Sequence, residues 1–289
     1  MKKTSVFLVI LSGVLWGTSA IFTTELRKFG FDALNIAFMR NAVAAICMIA
    51  FSLICKRDKL KVSAKQLLLY LLVGITLYAN GAFYYAAMKH ASISVAVVLL
   101  YIAPAVVTVY SVVVFKEKMT YLKGLAVAMV IVGTALVTGI VGGAKASAFG
   151  LFLGVMSGIS YSIYNIGIKY EMKRGDDPIV ATAYAFVISA LLSAFLGKPS
   201  QTVGILAQNL QSAIPWCLLI GIITAALPYF LYTYSMKKLP AGVVASLGCV
   251  EPLTASVISF VIYGEPVSVY SIAGIVLILV SVILLSKSE

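Results

Sequence analysis

Ten apolar runs, each long enough to cross a bilayer as a helix, dominate this chain. They fall near residues 5–24, 33–55, 66–87, 93–115, 121–140, 148–169, 179–197, 213–236, 241–263 and 268–286. A hydrocarbon core of about 30 Å needs about 20 residues rising about 1.5 Å each. The runs take 215 of the 289 residues and leave 74 for both tails and nine connections, so no loop can fold as a separate domain. With 62% hydrophobic and 11% charged residues, the chain lacks the polar coat of a soluble protein. Soluble enzymes, nucleic-acid modules and secreted scaffolds are thereby excluded. A transmembrane barrel would alternate over segments of about ten residues, whereas these runs are long and apolar on all sides. The expected fold class is an all-α membrane protein of ten transmembrane helices.

The net charge of +12 sorts by loop parity rather than forming a nucleic-acid patch. If the N-terminus is cytoplasmic, the inner segments carry 16 Lys and Arg, among them Lys56, Arg57, Lys59, Lys116, Lys169, Lys173 and Lys237. The outer loops carry 5, namely Arg27, Lys28, Lys89, Lys145 and Lys198, and Arg40 lies inside a span. This positive-inside bias places both termini in the cytoplasm of a multi-pass plasma-membrane protein. Lys2 and Lys3 before an apolar run could also introduce a signal peptide, but a similar run recurs later in the chain, which favours a retained span. Cys47, Cys55, Cys217 and Cys249 lie in or beside spans without metal-ligand spacing, and His90 is the only histidine. No metal or other cofactor is expected.

An internal repeat runs through the chain. A shift of 148 lays Met88–Glu117 over Met236–Glu265 with 9 of 30 positions identical, including Pro104 with Pro252 and Glu117 with Glu265. A shift of 141 lays Gly13, Val14, Gly17 and Ser19 over Gly154, Val155, Gly158 and Ser160. The expected units are therefore two five-helix repeats, 1–142 and 143–289, forming one transport domain. An odd number of spans per copy inverts the second copy relative to the first. Inverted repeats of this kind underlie alternating access, in which a central site opens to one side and then the other.

Proline and charge interrupt the apolar pattern at matching depths. Pro104 and Pro252 sit mid-way along spans 4 and 9 and would leave the carbonyls of Leu100 and Gly248 without helical donors. Pro228 would do the same for Thr224 in span 8, with Asn80 and Gly81 as its rough counterpart in span 3. These prolines are candidate gating hinges; ordinary kinks are the competing reading. Glu251 lies about 15 Å deep by helical rise, and Arg40 about 10 Å deep from the outer side. Intramembrane charge is costly and points to function. Glu251 either binds cargo or a coupling proton, or it forms a fixed bridge with Arg40.

Helical spacing separates two faces on spans 1 and 6. Gly150, Gly154 and Gly158, like Gly13 and Gly17, form small-residue ridges suited to close helix approach. Ser157, Tyr161 and Asn165 form a polar face on span 6, and Ser12, Trp16, Ser19 and Thr23 form one on span 1. Asn80, Tyr84, Tyr101, Tyr229 and Tyr232 add polar groups from spans 3, 4 and 8. The candidate substrate-binding residues are Trp16, Arg40, Asn80, Tyr84, Tyr101, Tyr161, Asn165, Tyr229 and Glu251. Such a lining suits a partly apolar molecule with a few polar handles. Tyr70, Tyr263 and Tyr270 read as interfacial belt residues, and spans 5 and 10 as peripheral helices.

Two motifs resemble those of a known family. Leu239-Pro240-Ala241 leading into Glu251-Pro252-Leu253 and Tyr263-Gly264-Glu265-Pro266 is similar to the closing motif of EamA-type members of the drug/metabolite transporter superfamily. Gly13-Val14-Leu15-Trp16-Gly17-Thr18-Ser19 resembles its opening motif, and Phe38-Met39-Arg40 its span 2 arginine. The resemblance covers essentially the whole chain. It implies a secondary transporter, often an exporter of amino acids, nucleobases or other small metabolites, with a cavity lined by spans 1, 3, 4, 6, 8 and 9. It also implies coupling to protons or to exchange. Span 4 departs from the pattern, with Ile102-Ala103-Pro104 opposite Val250-Glu251-Pro252, so only one acidic site is present.

The expected function is alternating-access transport of a small organic metabolite, as an exporter, with an uptake permease or exchanger as the alternative. An enzyme is not expected, because no metal helix, nucleophile elbow or phosphate loop is present. A passive channel should carry charged rings or a carbonyl filter. The expected partners are a small-molecule substrate, membrane lipid and a coupling proton, without nucleic acid, and the apolar outer helices permit a monomer or weak dimer.

Overall fold

A computed structural model describes residues 2–91, 93–137, 147–196, 198–264 and 268–287. The expected repeat boundary at 142/143, Lys145, Glu265, Pro266 and the Tyr263 side chain lie outside what is described. Among the described residues every regular element is helical. Span 1 is α1 (Lys2–Gly17) and α2 (Ser19–Lys28), and spans 2 and 3 are α3 (Ala33–Cys55) and α4 (Ala64–His90). Span 4 is broken into α5 (Ile93–Leu100) and α6 (Ala103–Val113), and span 5 is α7 (Tyr121–Val137). The second half follows as α8 (Ala148–Lys173), α9 (Pro178–Leu196), a short α10 (Pro199–Gln208) between spans, α11 (Leu210–Gly221) and α12 (Leu227–Ser235). Span 9 is broken into α13 (Ala241–Leu247) and α14 (Val250–Tyr263), and α15 (Val269–Lys287) closes the chain. Eight of these spans are long and strongly apolar, and the fifth and tenth are shorter.

Local chemistry starts the helices where the runs begin. Asp32 caps α3 through the Leu34 and Asn35 amides while the Asn35 side chain returns to the Asp32 amide, a reciprocal capping box. Ser63 and Gln66 do the same for α4, and Ser147 caps α8. Pro104 enters α6 in its first turn, where its missing N–H costs no helical bond, so spans 4 and 9 break within one residue of equivalent places. Pro228 opens α12 directly after a π-helical turn at Ile222–Ala226. The free carbonyl expected at Gly248 is instead engaged by the Glu251 amide at 3.1 Å. Asn80 and Gly81 do not interrupt α4, which runs unbroken.

Packing obeys an exchange of the two halves. Helix α3 packs on its counterpart α9, and α7 on its counterpart α15. The α4 and α8 contact is matched by α12 and α1, and that of α8 with broken span 4 by that of α1 with broken span 9. The glycine ridges make these approaches possible. A Cβ on Gly13 would sit 2.9 Å from the Gly248 carbonyl oxygen, and one on Gly158 would sit 2.6 Å from that of Leu99. Under the shift of 148 Gly248 corresponds to Leu100, whose carbonyl oxygen a Cβ on Gly158 would also approach, at 3.5 Å, so the contacts pair Gly13 with Gly158 to within one residue. The packing therefore corrects the span 1 and 6 alignment from a shift of 141 to 145, one helical turn, and makes Trp16 and Tyr161 equivalent. Identity over a short glycine-rich stretch cannot distinguish registers that differ by one turn, because the ridge itself repeats every four residues.

The outer faces carry the exposed side chains expected of lipid contact, such as Phe7, Leu68, Leu125, Val132, Phe195 and Leu279. Tyr70 is not a belt residue: it is buried and packs on Tyr184 at 5.1 Å between ring centres. The Tyr270 side chain is exposed.

Candidate functional site: a cavity between the repeats

The end of the bundle that carries Lys2, the Lys56–Lys65 loop and Lys173 is called the basic end below. In the half of the bundle remote from it lies a cavity of about 500 Å³. Its walls come from both repeats: α1 and α2, the start of α3, the last turns of α4, α5, α8, α11, α12 and α14. Trp16, Arg40, Asn80, Tyr84, Tyr101, Tyr161, Tyr229 and Glu251 all line it, together with Pro252. Several wall residues, including Ser19, Thr23, Arg40 and Asn80, are half-exposed, so the cavity communicates with the far surface.

Arg40 and Glu251 share this cavity but form no ion pair within 4.0 Å, so the bridge considered from sequence is absent. Arg40 is held by the π-helical turn. Its Nη2 donates to the Thr224 carbonyl at 2.7 Å and its Nε to Thr224 Oγ1 at 3.2 Å, while the guanidinium carbon lies 5.7 Å from the Tyr229 ring centre. The Thr224 carbonyl is the one that Pro228 deprives of its α-helical donor. Glu251 follows the break in span 9 and accepts a hydrogen bond at 3.1 Å from Tyr101, which lies in the break of span 4. Each charge is thus held by a residue of the opposite half, Arg40 by Thr224 and Glu251 by Tyr101, rather than by the other charge.

Aromatic side chains form the end of the cavity nearest the basic end. Trp16 meets Tyr229 edge-on at 5.0 Å and Tyr232 at 5.2 Å, and Tyr229 in turn packs on Tyr164 and Phe186. Trp16 lines the cavity, and among the described residues its buried indole N–H has no hydrogen-bond partner. Asn80 spends its side-chain N–H on the Ser157 hydroxyl at 3.1 Å, and the Ser157 hydroxyl donates to the Asn80 carbonyl at 3.1 Å, coupling α4 to α8.

Asn165 lies outside the cavity wall. It is fully buried, donates to the Tyr161 carbonyl at 2.6 Å and accepts from the Tyr232 hydroxyl. Asn165 is one helical turn from Tyr161, yet it lies among packed side chains rather than on the cavity wall. Pro104 and Pro228 also lie behind the wall rather than on it. Tyr85, Thr23, Ser19 and Ser256 complete the polar lining. Ser19 and Thr23 were legible as a span 1 face, whereas Ser256 follows from Pro252 only by one turn of α14.

Among the described residues no group of three or more His, Cys, Asp or Glu could hold a metal ion. The four cysteines are unpaired thiols.

The pattern of the EamA-like transporter family matches twice, at residues 3–139 and 148–287. The chain belongs to the EamA-like transporter family. The two matched segments start 145 residues apart and end 148 apart, the offsets found for spans 1 and 6 and for spans 4 and 9. This EamA-like transporter is 28% identical over 278 residues to an "Uncharacterized transporter" of Archaeoglobus fulgidus, covering 96% of this chain and 94% of the relative. It is 24% identical over 285 residues to "Uncharacterized transporter YwfM" of Bacillus subtilis, covering 97% and 93%. A solved crystal structure shares the fold with a TM-score of 0.81 at 16% identity, over 97% of this chain and 95% of that one. The protein is accordingly a multi-span membrane transporter built from two inverted five-helix repeats.

Proposed function

We propose that this transporter moves a small, partly apolar organic metabolite across the plasma membrane by alternating access, as an exporter, with both termini cytoplasmic. The observation that carries the reading is the inter-repeat cavity, where Arg40 and Glu251 are each held by a residue of the opposite half and remain apart. A volume of about 500 Å³ suits a solute of amino-acid or nucleobase size, and the tyrosine lining offers apolar area with hydroxyl handles. Glu251 is the coupling-proton candidate, since among the described residues it is the only acidic group in the cavity wall, a lone carboxylate among tyrosines. Arg40 and the Trp16 indole are cargo contacts. The positive-inside distribution supports the orientation, which makes the basic end cytoplasmic. The protein functions as a monomer or weak dimer, lipid covering its apolar outer faces.

The test is a thermal-shift screen of amino acids, nucleobases and amphipathic amines on purified protein, followed by flux in proteoliposomes with and without a pH gradient. Saturable flux of a stabilising ligand that responds to the gradient supports the reading. Non-saturating conductance in a planar bilayer would replace it with a channel, and chemical conversion of the ligand with an enzyme.

A further inference from the structure

A second cleft lies toward the basic end, where α6 meets α13. It measures about 10 Å³, room for about one water, and is lined by Thr108, Ser111, Glu117, Pro240 and Gly242 among others. Thr108 and Ser111 are both buried, and among the described residues neither hydroxyl has a protein hydrogen-bond partner. Native interiors rarely leave two neighbouring hydroxyls without a protein partner, so this pair is placed to meet water or a ligand in the cleft. Exposed Lys118 and Met119 stand at its mouth, and its inner end closes where Gly242 meets Thr108, since a Cβ on Gly242 would overlap the Thr108 hydroxyl. Close by, the buried Lys169 donates to the Met236 carbonyl at 3.0 Å and to that of Leu239, and pairs with Glu117 at 3.8 Å.

The internal repeat explains the unsatisfied pair. Under the 148-residue shift Thr108 corresponds to Ser256, which lines the large open cavity. Inverted halves that exchange roles bring each residue into the environment its counterpart now occupies. The position that faces the open path in one repeat is the position that is shut, with an idle hydroxyl, in the other.

We propose that Thr108 and Ser111 form the basic-end half of the transport path, a two-hydroxyl site that is shut here by α13 and takes the cargo's uncharged hydrogen-bonding group when that end opens. This rests on the alternating-access reading above. Opening separates Gly242 from Thr108 and breaks the Lys169 contacts to the turn between α12 and α13. The two hydroxyls then exchange their idle state for water or cargo.

The test uses full-length protein with Cys47, Cys55, Cys217 and Cys249 replaced by alanine, retaining transport, in oriented vesicles. Single cysteines Thr108→Cys, Ser111→Cys and Ser256→Cys are labelled with a membrane-impermeant cationic methanethiosulfonate, with and without Gly242→Ala as a wedge. The expected result is labelling of positions 108 and 111 from the basic-end side alone, accelerated about tenfold by the wedge, while position 256 labels from the opposite side and slows. Labelling of 108 and 111 from the same side as 256 would overturn the site. So would a wedge that slows 256 without accelerating 108 or 111, an outcome that leaves alternating access standing. Labelling of 108, 111 and 256 from both sides at rates that the wedge leaves unchanged would instead overturn alternating access. If the wedge does not fold, the near-isosteric Thr108→Val with Ser111→Ala decides the point. It should retain or raise the melting temperature and lower flux at least fivefold; unchanged flux would overturn the proposal.

Discussion

Arg40 donates to the main-chain carbonyl of Thr224 at 2.7 Å, and Thr224 is the residue whose carbonyl Pro228, four positions on, cannot serve with an α-helical N–H. A proline in span 8 thus creates the acceptor that orients a charge on span 2. The same threonine also receives the Arg40 Nε on its hydroxyl, which passes its own proton to the Ile220 carbonyl at 2.6 Å. Guanidinium geometry matches this two-point anchor, and an ammonium does not.

Arg40→Lys should therefore lower flux by at least tenfold, although it preserves charge. Losing the partner of the Thr224 carbonyl should also cost about 1–3 kcal/mol of stability. Thr224→Val should reproduce part of the flux loss, because it removes the hydroxyl and leaves the carbonyl contact. Equal flux for the wild type and Arg40→Lys, measured in proteoliposomes, would show that the fork is irrelevant.

Glu251→Gln should remove the response of flux to a pH gradient while keeping the hydrogen bond from Tyr101, since the amide oxygen still accepts. Comparing gradient-driven flux with equilibrium exchange separates coupling from binding. A variant that retains the full gradient response would exclude Glu251 as the proton carrier.

Gly17 and Gly81 should respond oppositely to alanine. A Cβ on Gly17 would meet the Thr254 Cβ at 2.5 Å and the Glu251 carbonyl at 2.8 Å, so Gly17→Ala should destabilise by about 1–3 kcal/mol. A Cβ on Gly81 meets nothing within 4 Å, and helix propensity favours alanine by about 1 kcal/mol. Gly81→Ala should fold at least as well and, by narrowing the cavity wall, discriminate against bulkier ligands. Thermal melts with a ligand-size series check both halves of the contrast.

At the far-end turn, Asp32 offers a pH test outside the spans. Burial tends to raise its pKa, but the Asn35 amide, the Lys198 ammonium at 3.3 Å and the Leu34 amide together hold it below the ordinary carboxylate value. A depressed folded value means that its contribution is fully present above the unfolded value and is lost as pH falls through the folded one. Asp32→Ala should cost about 1 kcal/mol at neutral pH and flatten that acid-side loss, whereas Asp32→Asn, still a good cap, should cost less. Lys198 is exposed, so its part should fade in high salt.

Several of these features were legible before any helix was placed. The spans follow from apolar length, because a bilayer satisfies no backbone group and leaves the chain to do so locally. The paired breaks at Pro104 and Pro252 follow equally from a missing N–H and a shared depth. Eight of the nine candidate binding residues share the cavity wall, because polarity inside an apolar helix marks the face turned away from lipid. Asn165 shares that face with Tyr161 but continues beyond the cavity, a difference of position along the helix that periodicity does not carry.

The sequence alone determined the ten-helix membrane class, the repeat and the polar face of each span. These depend on local solvation and covalent geometry, which successive residues specify. Tertiary packing decided the pairing of Gly13 with Gly158, the choice of Thr224 rather than Glu251 as the partner of Arg40, and the separation of open cavity from sealed cleft. Those outcomes depend on how helices from opposite halves rotate and slide against one another. Side chains with several chemically suitable partners select among them only when packing brings one within reach.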